Sequence, residues 1–155
     1  MSKRNQKRRR GFSLVELLIV IAIIMIIAGI AIPQYNKAMM SARETAATRS
    51  MQTIHAMETQ YYSQFGRYAA SLAELGPPAS GAAGPNAADL ISKDLAQGKN
   101  NGYVFTVQTT PTGYSITAVP ESFNNSGRRS FYSDQTLQMH TSWTQEPANV
   151  NSPEK

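Results

Sequence analysis

The chain contains no cysteine, which excludes a disulfide framework and a thiolate metal site and leaves the redox compartment open. Its two histidines, His55 and His140, stand alone, so no His/Cys ligand spacing exists. There is no HExxH helix, no GxSxG elbow and no phosphate-cradling glycine loop. These absences point away from an enzyme and from a bound cofactor or metal. Acidic residues are missing from the first fifteen positions, where Lys3, Arg4, Lys7, Arg8, Arg9 and Arg10 supply six of the fifteen bases. From Phe12 onward nine Lys/Arg face ten Asp/Glu, so the basic balance belongs to the first ten residues. It gives no reason to expect nucleic acid on the rest of the subunit.

What the chain does have is residues 8–33, RRRGFSLVELLIVIAIIMIIAGIAIP. Between Phe12 and Ile32 lie 21 residues whose only charge is Glu16. A helix of that length spans roughly 30 Å, about one hydrocarbon core. Six cations before the run, against Lys37, Arg43 and Arg49 just after it, favour a cytoplasmic N-terminus. The remainder then lies outside. A cleaved secretory signal is one rival reading, with Gly29-Ile30-Ala31 the nearest small-residue site, but the run exceeds an ordinary signal core and Pro33 follows it at once. A plain signal anchor is another, and it leaves Glu16 unexplained. A carboxylate inside a membrane helix costs roughly 2.5–3.5 kcal/mol at its centre and less near the interface, so it needs a partner. If the chain were cut after Gly11, the new α-ammonium of Phe12, in the same chain or a neighbour, would supply one. In the first helical turn Glu16 also complements the macrodipole.

Gly11-Phe12-Ser13-Leu14-Val15-Glu16-Leu17-Leu18 resembles the prepilin signature of type IV pilins and type II secretion pseudopilins. The likeness covers about residues 8–65. It implies cleavage between Gly11 and Phe12 by a prepilin peptidase, N-methylation of Phe12, and pairing of Glu16 with the amine of an adjacent subunit during assembly. It also implies that Gly29 and Pro33 loosen or kink the first helix, as Pro33 should in any case by removing a backbone donor. Motor ATPases, a platform membrane protein and a secretin are the assembly partners implied.

After Pro33 the positions Tyr35, Met39, Ala42 and Ala46, then Ile54, Met57, Tyr61, Phe65, Tyr68, Leu72 and Leu75, recur at helical spacing. Lys37, Arg43, Glu44, Arg49 and Glu58 are left for other faces. Gly66 should end the helix near Phe65, giving a rod of roughly 80 Å, longer than an anchor needs. Residues 76–85 read as a Gly/Pro loop, and 86–97 (NAADLISKDLAQ) as a helix capped by Gly98. Two hairpins follow: Tyr103–Thr109 with Tyr114–Val119 around Pro111-Thr112-Gly113, and Arg129–Ser133 with Leu137–Thr141 around Asp134-Gln135-Thr136. The expected fold is α+β and pilin-like: a long N-terminal helix on an antiparallel sheet of about four strands.

The expected division is a removable basic leader over 1–11, a membrane and polymerisation helix over 12–33, a periplasmic or extracellular head over 34–144, and a disordered polar tail over 145–155. His55 with Glu58 reads as an ordinary pair on a solvated helix face, and Arg128-Arg129 as a solvated pair flanking a strand. Asp134 lacks the neighbouring carboxylates of a calcium loop. Tyr61, Tyr62, Phe65 and Tyr68 read as core packing. The leading functional reading is the structural subunit of a type IV pilus-like filament, a homo-oligomer that passes through the inner membrane as a single-pass precursor before reaching the pilus, periplasm or cell surface. A pseudopilin of a secretion or DNA-uptake machine is the alternative, and a non-polymerising membrane-anchored binding module the second.

Overall fold

The computed structural model describes residues 11–154. They form two compact units divided between Lys37 and Ala38. Helix α1 (Leu14–Phe65) starts in the first and ends in the second, with Pro33 inside it. In the first unit the apolar run buries almost nothing. Large side chains from Phe12 to Ile32 are 41–85% exposed. Among the described residues α1 is the one helix long and apolar enough to cross a membrane.

The second unit has its own core. Met40, Glu44, Ala47, Met51, Ile54, Glu58 and Tyr61 are buried along α1 at alternating spacings of three and four, with Thr48 and His55 beside them. At its start this stripe lies one or two positions from the expected one, with Met40, Glu44 and Ala47 in place of Met39, Ala42 and Ala46, and further on Glu58 takes the place of Met57. Glu44, Glu58 and His55 belong to the core and not to solvated faces. The stripe packs with residues of a sheet that forms a five-strand antiparallel meander, β1 (Lys99–Asn100), β2 (Tyr103–Thr110), β3 (Gly113–Pro120), β4 (Ser130–Asp134) and β5 (Met139–Ser142). Tyr103, Phe105 and Val107 of β2 and Tyr114, Ile116 and Ala118 of β3 are all buried, as their alternation predicts.

Five strands replace about four because β1 is only two residues long. Its turn has a clear signature: Asn101 and Gly102 both take positive φ (51° and 78°), and Asn100 pairs with Tyr103. This is the left-handed two-residue hairpin that an Asn-Gly pair favours. Strand β5 begins at Met139 because Leu137 adopts φ 67° and donates its N–H to the Asp134 carbonyl at 2.9 Å.

The helix expected over 86–97 shrinks to α3 (Lys93–Ala96), preceded by the short α2 (Leu72–Leu75). Ala88 N–H binds the Glu74 carbonyl, and those of Leu90 and Ile91 bind Leu75, so the backbone here is committed to the α2 segment. The C-terminal segment also departs from expectation. Far from lying free, it returns to β4 and β5: Ala148 is buried, Ser130 Oγ accepts its N–H at 2.8 Å, and Thr141 N–H binds the Pro153 carbonyl at 2.8 Å. His140 Nδ1 lies 2.7 Å from the Ser152 carbonyl, and an antiparallel bridge joins His140 to Glu154. Backbone bonds rather than apolar burial hold this strap, so its polar composition gives no warning of it.

Candidate assembly site

The first turn of α1 is organised by Ser13 and Glu16. Glu16 Oε2 accepts the Ser13 N–H at 2.8 Å, and Ser13 Oγ accepts the Val15 N–H at 3.3 Å. This is a capping-box arrangement, with serine at the helix boundary and glutamate three residues on. The carboxylate therefore sits on the amide that directly follows Phe12. It is held at the helix entrance, where both the peptide dipoles and a new terminal cation would favour a negative charge. Phe12 is 85% exposed, and a side chain at Gly11 would meet no other atom within 4 Å. Gly29 is similarly open, and the helix continues through Pro33. The other calls on the basic leader, residues 1–10, lie outside the described residues.

In the second unit three polar side chains of α1 hold the helix to its surroundings. Glu44, 6% exposed, accepts the Arg128 N–H at 2.8 Å and Arg129 Nε at 2.7 Å. Arg129 also lies over the rings of Phe131 and Trp143. Of the expected solvated arginine pair, only Arg128 is exposed. His55 bridges β3 and β4 through Nδ1 to Tyr114 Oη (2.7 Å) and Nε2 to Ser133 Oγ (2.9 Å). Burial pushes its pKa down, against the raising influence of Asp134. Burial has the opposite effect on the Asp134 carboxyl and would raise its pKa, but hydrogen bonds from Thr136 hold it below its ordinary value.

Glu58 is fully buried. One oxygen accepts the Ala69 N–H at 2.9 Å, while Oε1 has no partner among the described residues. Burial pushes its pKa up from 4.5 to about 7, with Glu74 adding to the rise and the Ala69 bond and Arg67 opposing it. Between these two values the folded chain holds a proton that the unfolded chain has lost. Stability contributed by neutral Glu58 is therefore complete below about pH 4.5 and falls as pH rises to about 7, by roughly 3 kcal/mol in all. His55 acts oppositely, its contribution being lost as pH falls below 6.5. Since His55 contributes equally to both proteins, urea unfolding of the full chain and of its Glu58→Gln variant is expected to differ in slope between about pH 4.5 and 7, the variant lacking the decline. An unchanged slope would assign the decline to other groups.

The prokaryotic N-terminal methylation motif matches residues 6–32. The family described as type IV minor pilin ComP, DNA uptake sequence receptor, matches residues 33–130. The chain belongs to that family of type IV pilins. This pilin is 36% identical over 69 residues to the type IV major pilin protein PilA of Myxococcus xanthus (strain DK1622), covering 44% of this chain and 31% of the relative. It is 49% identical over 53 residues to a fimbrial protein of Pseudomonas aeruginosa, covering 34% and 32%. The matched segments thus span about a third of each curated relative. The long helix on an antiparallel sheet is the pilin-like fold expected from the sequence.

Proposed function

We propose that this pilin is a structural subunit of a type IV pilus-like filament, made as a membrane-inserted precursor with its N-terminus in the cytoplasm. The observation that carries this reading is the exposed apolar surface of Phe12–Ile32, opened by a carboxylate fixed on the Ser13 amide. A surface apolar on all sides suits lipid first and neighbouring helices later. Lipid tails are about as apolar as leucine, so the exchange changes little hydrophobic free energy. Specificity then rests on shape and on the pairing of Glu16 with the Phe12 amine of an adjacent subunit. Head-to-tail contacts of this kind do not close into rings, and they propagate an open polymer. Gly29 and Pro33 serve as the places where the helix loosens as it is packed.

Prepilin peptidase is the processing partner in this reading, cutting after Gly11 and methylating Phe12. Mass spectrometry of the protein from cells is expected to give N-methyl-Phe12 as the first residue. Gly11→Leu is expected to leave the leader in place, because a side chain there obstructs the peptidase. Efficient cutting of that variant would remove the assigned site, and an intact Met1 on the wild-type protein would favour a plain membrane anchor.

A DNA-uptake role is the second reading, favoured by the description of the family that matches residues 33–130. Lys37, Arg43, Arg49, Lys93 and Arg128 have no carboxylate within ion-pair distance among the described residues, which leaves them available to phosphates. From Ala38 onward, however, acids slightly outnumber bases, so any phosphate affinity must come from local placement. Imaging sheared extracellular material for long fibres separates a surface pilus from a short polymer confined to an uptake or secretion machine.

A further inference from the structure

The last turns of α1 and the β2–β3 hairpin enclose an open cleft of about 530 Å³. Tyr62, Arg67, Tyr68, Thr109, Thr110 and Thr112 line it. Tyr62 is half exposed, and its ring lies 4.7 Å from that of Tyr68, centroid to centroid, tilted by 36°. Tyr68 in turn lies 4.8 Å from Tyr114, whose hydroxyl is fixed by His55. The surface ring is thus the outer end of an aromatic ladder tied to the core, and it offers contact area at little further cost in side-chain freedom.

The charge of the cleft decides what fits it. Among the described residues Arg67 is the only charged one in the lining, and Glu74 meets it at 2.7 Å. The hairpin from Tyr103 to Pro120 carries no charge at all, nor do residues 61–65. A polyanion gains nothing here, because nucleic-acid affinity comes chiefly from unneutralised bases. An aliphatic ligand is poorly served as well, since three threonines border the rings. One of them, Thr110, has a buried Oγ1 without a partner among the described residues. Fixed aromatic faces bordered by neutral hydroxyls match a molecule with one face of C–H groups and a rim of hydroxyls.

We propose that this cleft binds a neutral glycan, with a sugar ring stacked on Tyr62 and its hydroxyls bonded to Thr109 and Thr112. Binding needs no polymer, so it stands apart from the assembly reading. The test uses the full chain in phosphocholine micelles, which carry no sugar headgroup, titrated with fluorescent chitohexaose, fluorescent cellohexaose and a short DNA duplex. At least one hexaose is expected to bind saturably, with affinity changing less than about twofold between about 50 and 500 mM salt. Tyr62→Ala should weaken that binding at least about tenfold, while Tyr62→Phe stays within about threefold, since stacking needs the ring and not the hydroxyl. Tyr62 is exposed enough that both variants should keep the wild-type unfolding midpoint. Absence of saturable binding by both sugars would overturn the proposal, as would a Tyr62→Ala variant that binds like wild type. DNA binding that Tyr62→Ala abolishes would overturn it too, by giving the cleft to nucleic acid.

Discussion

Glu16→Gln is expected to enter the membrane and lose its leader normally while yielding almost no filament. The amide preserves the shape of the side chain and still accepts the Ser13 N–H, now seen at 2.8 Å, so the helix start is kept. It removes only the negative charge. In an assembled filament the Phe12 amine of the neighbour would then be a cation without a counterion among apolar helices. Breaking a buried pair by removing one member costs about 3–5 kcal/mol. That corresponds to about a hundredfold to a few thousandfold in each subunit addition, enough to halt growth. Glu16→Ala should behave alike and also weaken the cap by about 1 kcal/mol. Immunoblots of membrane and sheared fractions measure both stages. Filament mass at the wild-type level from the glutamine variant would end the assigned role of Glu16, and failure of insertion would place the residue earlier, in biogenesis.

The second large effect lies in the head. Glu44→Ala should destabilise it by about 2–4 kcal/mol, because it strips Arg129 of its carboxylate and leaves the Arg128 amide without an acceptor. Arg129→Met should cost a similar amount. It keeps apolar contact with Phe131 and Trp143 but leaves the Glu44 charge inside the fold with one hydrogen bond. Combining Glu44→Leu with Arg129→Met should recover most of either loss, since a buried ion pair replaced by packed apolar groups is often close to neutral. Denaturant unfolding of the full chain in micelles reads all three. Losses that simply add in the double variant would show that the two side chains do not act as a pair.

The same residues explain how far the sequence could be read. The N-terminal half of α1 is a local matter, and composition alone sets its length, its exposure and its Ser-x-x-Glu start. The two main hairpins were also legible, because alternation and turn residues act within about ten positions. Glu44, His55 and Glu58 were not. Each is polar at a core position; Glu44 and His55 find partners far along the chain, Arg129 being 85 residues from Glu44 and Ser133 78 from His55, while Glu58 is met by the Ala69 amide just past the helix end. Periodicity ranks such positions as solvent-facing, since it cannot see those partners. The Asn101-Gly102 turn is a signal present in the sequence, but the strand it closes is only two residues long, too short for alternation to mark. Leu90 and Ile91 misled in the opposite way, with helical spacing but backbone donors taken by Leu75.

The C-terminal strap has a consequence for how the head survives before delivery. A ribbon with unpaired amides at its rim invites stacking with its twins, the first step towards insoluble clumps. Here one rim is shielded where Pro153 and Glu154 lie along β5, while at the other β1 pairs only with Tyr103 and Val104 of β2. On the β5 side, therefore, copies of the head have little free backbone with which to join one another.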